Sequence, residues 1–140
     1  MRSTGRILSN SRLRAHFARY DMTTLILAVA LYLGRGTPSH ATVDAIASTD
    51  ATPLEVALLV VYGARESSWQ VNAVGDGGKS CGTWQQACSR VRGLSERDRA
   101  RLWIWDLRHS SLAAVDSSPA RASRRLAIAR AALAGATAGR

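Results

Sequence analysis

The run Val56-Ala57-Leu58-Leu59-Val60-Val61-Tyr62 is apolar on every face. A helix with no polar side is the buried central helix of its domain. The residues before it supply a start signal: Thr52 as N-cap, Pro53 in the first turn, and Glu55 three residues after Thr52 to complete a capping box. Val60 and Val61 would also suit a strand, but the capping box and the length of the run predict a helix over 52–65. A short helix is expected over 43–49. Ser95, with Asp98 three residues on, starts another, which places Trp103, Leu107 and Ala114 on one face and Ile104 beside them. Ser118 and Pro119 open the last helix, with Ala122, Leu126, Ala129 and Leu133 at helical spacing. The small residues from Gly135 onward read as a frayed end, with 137–140 as a disordered tail.

Between the second and third of these helices the pattern changes. Residues 70–84 hold Gly75, Gly77, Gly78 and Gly82, and Asp76-Gly77 is a strong turn dipeptide. This stretch predicts a β-hairpin or an ordered loop. The expected fold class is therefore α+β, predominantly α-helical, with one small β element. There is no internal repeat.

The N-terminal third has two readings. Residues 1–21 carry five arginines among polar residues, residues 23–33 are apolar, and Ser39-His40-Ala41 is a small-residue site. That order suits a secretory signal peptide cleaved after Ala41. It equally suits an N-terminal basic segment followed by an amphipathic helix that stops at Gly34. The domain proper is expected over 42–136. No apolar segment approaches the ~18 residues of a membrane span.

Charge adds little. The formal net charge is +9, almost wholly from arginine, and Lys79 is the only lysine. Such a charge suits nucleic acid or an anionic cell envelope. The arginines are spread along the chain, and no zinc-finger, RNA-binding or basic-leucine pattern is present, so nucleic acid is not an expected partner. His16, His40 and His109 are not spaced as metal ligands, and no cofactor or metal is expected. Gly78-Lys79-Ser80 has the letters of a phosphate loop without its upstream glycine or its following helix. Cys81 and Cys88 are either two small half-buried residues or a disulfide that pins the loop after the glycine-rich turn.

The chemistry concentrates in Arg65-Glu66-Ser67-Ser68-Trp69 and the segment after it. Glu66 ends the apolar helix. Burial and the negative end of the helix dipole both disfavour a charged carboxylate there, so the expectation is a raised pKa, as general-acid work requires. Trp69 and Trp84 offer flat apolar faces for a sugar, or are core residues. Gln85 offers a donor and an acceptor.

Glu66-Ser67-Ser68-Trp69, then Asn72-Ala73-Val74, then Gly82-Thr83-Trp84-Gln85 resembles the lytic transglycosylase branch of the lysozyme-like superfamily, over residues 52–86. The resemblance implies a lysozyme-like fold with a hairpin beside the catalytic helix. The implied substrate is the peptidoglycan glycan strand, cut at the β-1,4 bond between N-acetylmuramic acid and N-acetylglucosamine. Glu66 would be the general acid and then the base. Ser67, Trp69, Ser80, Gly82, Trp84 and Gln85 would bind substrate. Glycosidases of the two-carboxylate kind need a second acid, for which Asp76 is the nearby candidate. If Asp76 only shapes its turn, a single Glu66 suits the family's non-hydrolytic route, which yields an anhydro sugar. The family's Tyr-Asn-x-Gly segment, which builds the far wall of the cleft, has no counterpart downstream. That departure leaves an alternative: an inactive lysozyme-like module that binds the wall or forms part of a phage particle or secretion apparatus. A small basic nucleic-acid-binding helical protein is a second alternative. Export to the periplasm or outside the cell would follow from a cleaved signal. Without one, the protein would be cytoplasmic or virion-associated.

Overall fold

The computed structural model describes residues 22–138; the basic stretch 1–21 and residues 139–140 lie outside them. Seven helices and one three-stranded sheet follow in chain order: α1 Met22–Leu33, α2 His40–Ala47, α3 Pro53–Ser67, β1 Val74–Gly75, β2 Ser80–Cys81, β3 Gln86–Ala87, α4 Cys88–Val91, α5 Glu96–His109, α6 Leu112–Asp116 and α7 Pro119–Thr137. A single 3-10 turn, Asp76–Gly78, links β1 to β2. The class is α+β with helix predominant.

The central helix forms as its sequence demands. The Thr52 side chain accepts from the Glu55 amide, and the Glu55 carboxylate accepts from the Thr52 amide at 2.8 Å. Every residue from Val56 to Ala64 is buried. The helices packed around α3 include α1 and α7, while α2 packs on α1 and α5. Gly63 is the one position on α3 where the lack of a side chain decides the packing. A Cβ there would lie 2.5 Å from the Trp69 ring, so Trp69 folds back flat against the helix it has just left. That reversal needs positive φ at Ser68 and Trp69.

The apolar segment near the N-terminus is the first helix of this core. Met22, Leu25, Ile26, Val29 and Ala30 on α1 are buried, the middle three completely. Ser39 accepts from the Thr42 amide as N-cap of α2, which places Ala41 inside the first turn of that helix. No helix among the described residues is long and apolar enough to cross a membrane.

Four expectations are corrected. The hairpin gains a third strand, with Val74 opposite Cys81, and Ser80 opposite Ala87 in turn. The helix begun at Ser95 stops at His109, not beyond Ala114. The hydroxyl of Ser110 bonds back to the Asp106 carbonyl at 2.5 Å, and Ser111 caps the separate α6. Asp98 is no capping-box partner there: its amide donates to Ser95, while its carboxylate faces Arg101. The last helix continues through Gly135 to Thr137, whose hydroxyl bonds to the Leu133 carbonyl, so the expected tail is helical up to that point.

Candidate active site

Glu66 sits in the last turn of α3, at the edge of the buried stretch, and faces a cavity of about 400 Å³. The opposite side of that cavity is the glycine-rich turn, which contributes Gly75, Asp76, Ser80, Trp84 and Gln85. The turn is held by its own side chains. The Gln85 amide donates to the carbonyls of Ala73 (3.1 Å) and Gly82 (2.9 Å). Its Oε1 occupies the space that a side chain at Gly75 would need. Ser80 donates to the Asp76 carboxylate at 2.6 Å. Trp84, only 3% exposed, donates its indole N–H to the Leu59 carbonyl at 2.9 Å, which fastens the turn to the central helix at the border of the cavity. Cys81 and Cys88 are joined as a disulfide, Cα to Cα 4.9 Å, tying β2 to the start of α4.

The structure therefore brings together Glu66, Asp76, Ser80, Trp84 and Gln85. Gly82 is behind them at φ 85°, backed by Arg99. Besides Gly82, two more of the residues expected to touch substrate do not line the cavity. Trp69 is buried against Gly63, for the packing reason given above. Ser67 turns its hydroxyl back to the Gly63 carbonyl at 3.2 Å.

Trp103 of α5 and Val115, Asp116, Ser117 and Arg121 around the α6–α7 junction complete the lining of the cavity. Asp116 is the hub. Its side chain is fully buried, accepts from the Tyr62 hydroxyl at 2.5 Å and from Arg121 Nε at 2.6 Å, and lies 3.9 Å from Arg125. Burial first, and the bond to Asp116 second, push the Tyr62 hydroxyl well above its ordinary range, so it remains a donor. Arg125 lies over the Tyr62 ring, 4.8 Å from its centre, and donates to Glu66 Oε1.

That last contact corrects the picture of Glu66 as a carboxylate opposed only by burial and the helix dipole. It has a cationic partner from α7, fifty-nine residues away in sequence. The pair fixes the side chain and commits Oε1, so Oε2 is the oxygen left for a substrate. Neither Asp116 nor Arg125 carried a signal: an aspartate before Ser-Ser-Pro reads as a helix end, and Arg125 is one arginine among many.

A second polar group was also missed. Thr42 and Thr83, both completely buried, donate to the same oxygen of Glu96, at 2.8 and 2.5 Å. Glu96 thereby ties α2 and the Gly82–Gln85 turn to α5, and its other oxygen is buried without a partner. Among the described residues no cluster of histidine, cysteine and carboxylate side chains could hold a metal ion.

No protein-family model, curated protein or solved structure matches this chain.

Proposed function

We propose that this protein is a lysozyme-like enzyme that cleaves the peptidoglycan glycan strand with Glu66 as general acid and base. The observation that carries the proposal is the single cavity that sets Glu66, at the end of a buried helix, against Ser80, Trp84 and Gln85 across a rigid glycine-rich turn. The lining is mainly polar, and directed donors and acceptors of this kind can hold the hydroxyls of a pyranose ring. The disulfide supports work in an oxidising compartment outside the cytoplasmic membrane.

The chemistry would run on one carboxyl group. Glu66 first takes up a proton, releasing its ion pair with Arg125, and passes it to the glycosidic oxygen as the C1–O bond breaks. In the non-hydrolytic route the sugar's own C6 hydroxyl attacks C1, and Glu66 recovers that hydroxyl's proton, leaving a 1,6-anhydro sugar. In hydrolysis water attacks instead and the product has a free reducing end. Asp116 is committed to Tyr62 and Arg121, which leaves Asp76 as the second carboxylate for a hydrolytic route.

The Glu66–Arg125 contact favours one rival, a module of the same fold that binds the wall without cutting it. In that case the pair is structural. Digestion of purified peptidoglycan by wild type and by Glu66→Gln, with products identified by mass, separates the two. Anhydro-muropeptides from wild type and none from Glu66→Gln are expected. No cleavage by wild type would leave the binding module, and reducing-end products would assign Asp76 a catalytic role.

A further inference from the structure

Trp105 is an exposed aromatic side chain placed where a second ligand unit would lie. It stands one turn from the C-terminal end of α5 and is 54% exposed. Burying an indole yields a large apolar gain, and this half-exposed one lines a hollow where a flat ligand ring would supply that burial. It is also held. The His109 ring stacks on it, centroids 4.0 Å apart and planes 17° from parallel. His109 Nδ1 bonds to the Trp105 carbonyl at 2.8 Å. A carbonyl only accepts, so Nδ1 carries the proton and the ring cannot turn without losing that bond. The other large exposed apolar side chains, Leu27, Leu31, Tyr32 and Val74, do not line the hollow that Trp105 faces.

That hollow, of about 610 Å³, adjoins the Glu66 cavity. The two share Ser80, Trp84, Gln85, Trp103, Val115 and Ser117. Its rim carries a planar ion pair, Arg90 to Asp106 through two bonds of 2.6 and 3.0 Å. The remaining N–H groups of that guanidinium and the lone pairs of the carboxylate can meet sugar hydroxyls.

The geometry points to a distal saccharide subsite in which Trp105, braced by His109, stacks on a pyranose ring further along the same strand that Glu66 engages. This rests on the glycan reading of the Glu66 cavity and adds a length requirement to it. A short ligand fills the Glu66 cavity alone, and a longer one reaches Trp105. The occupant is the same polymer because the two hollows adjoin, sharing six lining residues, so a strand seated at Glu66 extends toward Trp105.

The test uses the Glu66→Gln protein, which should bind without turnover. β-1,4-linked N-acetylglucosamine dimer and hexamer are titrated by calorimetry into this protein with and without Trp105→Ala. The hexamer should bind more tightly than the dimer. Trp105→Ala should weaken the hexamer by roughly tenfold and leave the dimer unchanged. His109→Ala should weaken the hexamer less. Unchanged hexamer affinity in Trp105→Ala, with its melting curve intact, overturns the subsite and leaves the Glu66 reading standing. A shift of Trp105→Ala from oligomer to monomer in sedimentation, without loss of hexamer binding, would assign the ring to a contact between copies and also overturn it. Trp105-dependent hexamer binding by a wild type that cleaves nothing would keep the subsite and remove the enzyme. Failure to bind either oligomer removes both.

Discussion

Truncation after Ala41 is expected to unfold the protein, because it deletes α1. Met22, Leu25, Ile26 and Val29 are each at least 97% buried, on counts of 3%, 0%, 0% and 0% exposure. Side chains of this size contribute about 1.5–3 kcal/mol each on burial. The four together are worth about 6–12 kcal/mol, and somewhat less if the unfolded chain already hides part of that surface. The whole stability of a domain this size is about 5–15 kcal/mol. The cut also removes Ser39, the N-cap of α2, for about 1 kcal/mol more. Apolar surface on α3 and α7 is left open where α1 had packed. The assay compares far-UV circular dichroism melts of the full chain and of a chain beginning at Thr42. The shortened chain should show no cooperative transition at 25 °C and above. A cooperative melt within about 5 °C of the full chain would refute the reasoning, since that shift corresponds to only ~1 kcal/mol. If the truncated chain is unfolded, a signal peptidase cut after Ala41 is not a route to a working protein, and export would require a cut upstream of Met22.

Four other outcomes are expected. Thr83→Val should cost about 1–3 kcal/mol in denaturant unfolding, because Glu96 loses a hydroxyl donor where its other oxygen is already unpartnered. Arg125→Ala should destabilise by about 2 kcal/mol through the lost charged bond to Glu66; an unchanged midpoint would mean the pair is not formed in solution. Replacing Cys81 and Cys88 by serine should lower stability by about 2.5 kcal/mol for so short a loop, and reductant should reproduce the loss in the wild type only. The pH profile should fall at both ends. The Arg108 guanidinium holds the Glu55 carboxyl below its ordinary 4.5, so its stabilisation is present above that pH and lost as pH falls through the lowered value. Tyr62 is raised above its ordinary 10.0, so its contribution is present below pH 10.0 and lost as pH rises toward the raised value. Unfolding measured across pH should lose the acid limb in Glu55→Gln and the alkaline limb in Tyr62→Phe.

The sequence by itself determined the elements whose signals are local. Thr52-Pro53-x-Glu55 and seven apolar residues leave one good solution, a capped helix buried on all sides, and it formed as expected. Ser118-Pro119 and Asp76-Gly77 likewise act through the backbone of their immediate neighbours. Half of the candidate site was legible for the same reason: Glu66, Ser80, Trp84 and Gln85 lie within twenty residues, and the turn between them has little freedom. Only the tertiary structure decided the rest. That residues 23–33 pack as a core helix depends on which surfaces α3 and α7 leave uncovered, and no property of the segment encodes that. Trp69 and Trp84 both end in the core, by different contacts that the sequence does not mark: a missing side chain at Gly63 receives one, and the Leu59 carbonyl holds the other, which alone borders the cavity. Asp116 and Arg125 reach Tyr62 and Glu66 only because α6 and α7 return across the end of α3, over more than fifty residues of chain. Electrostatic partners at that separation are set by packing, since a charge falls off with distance in space and carries no mark of its partner along the sequence.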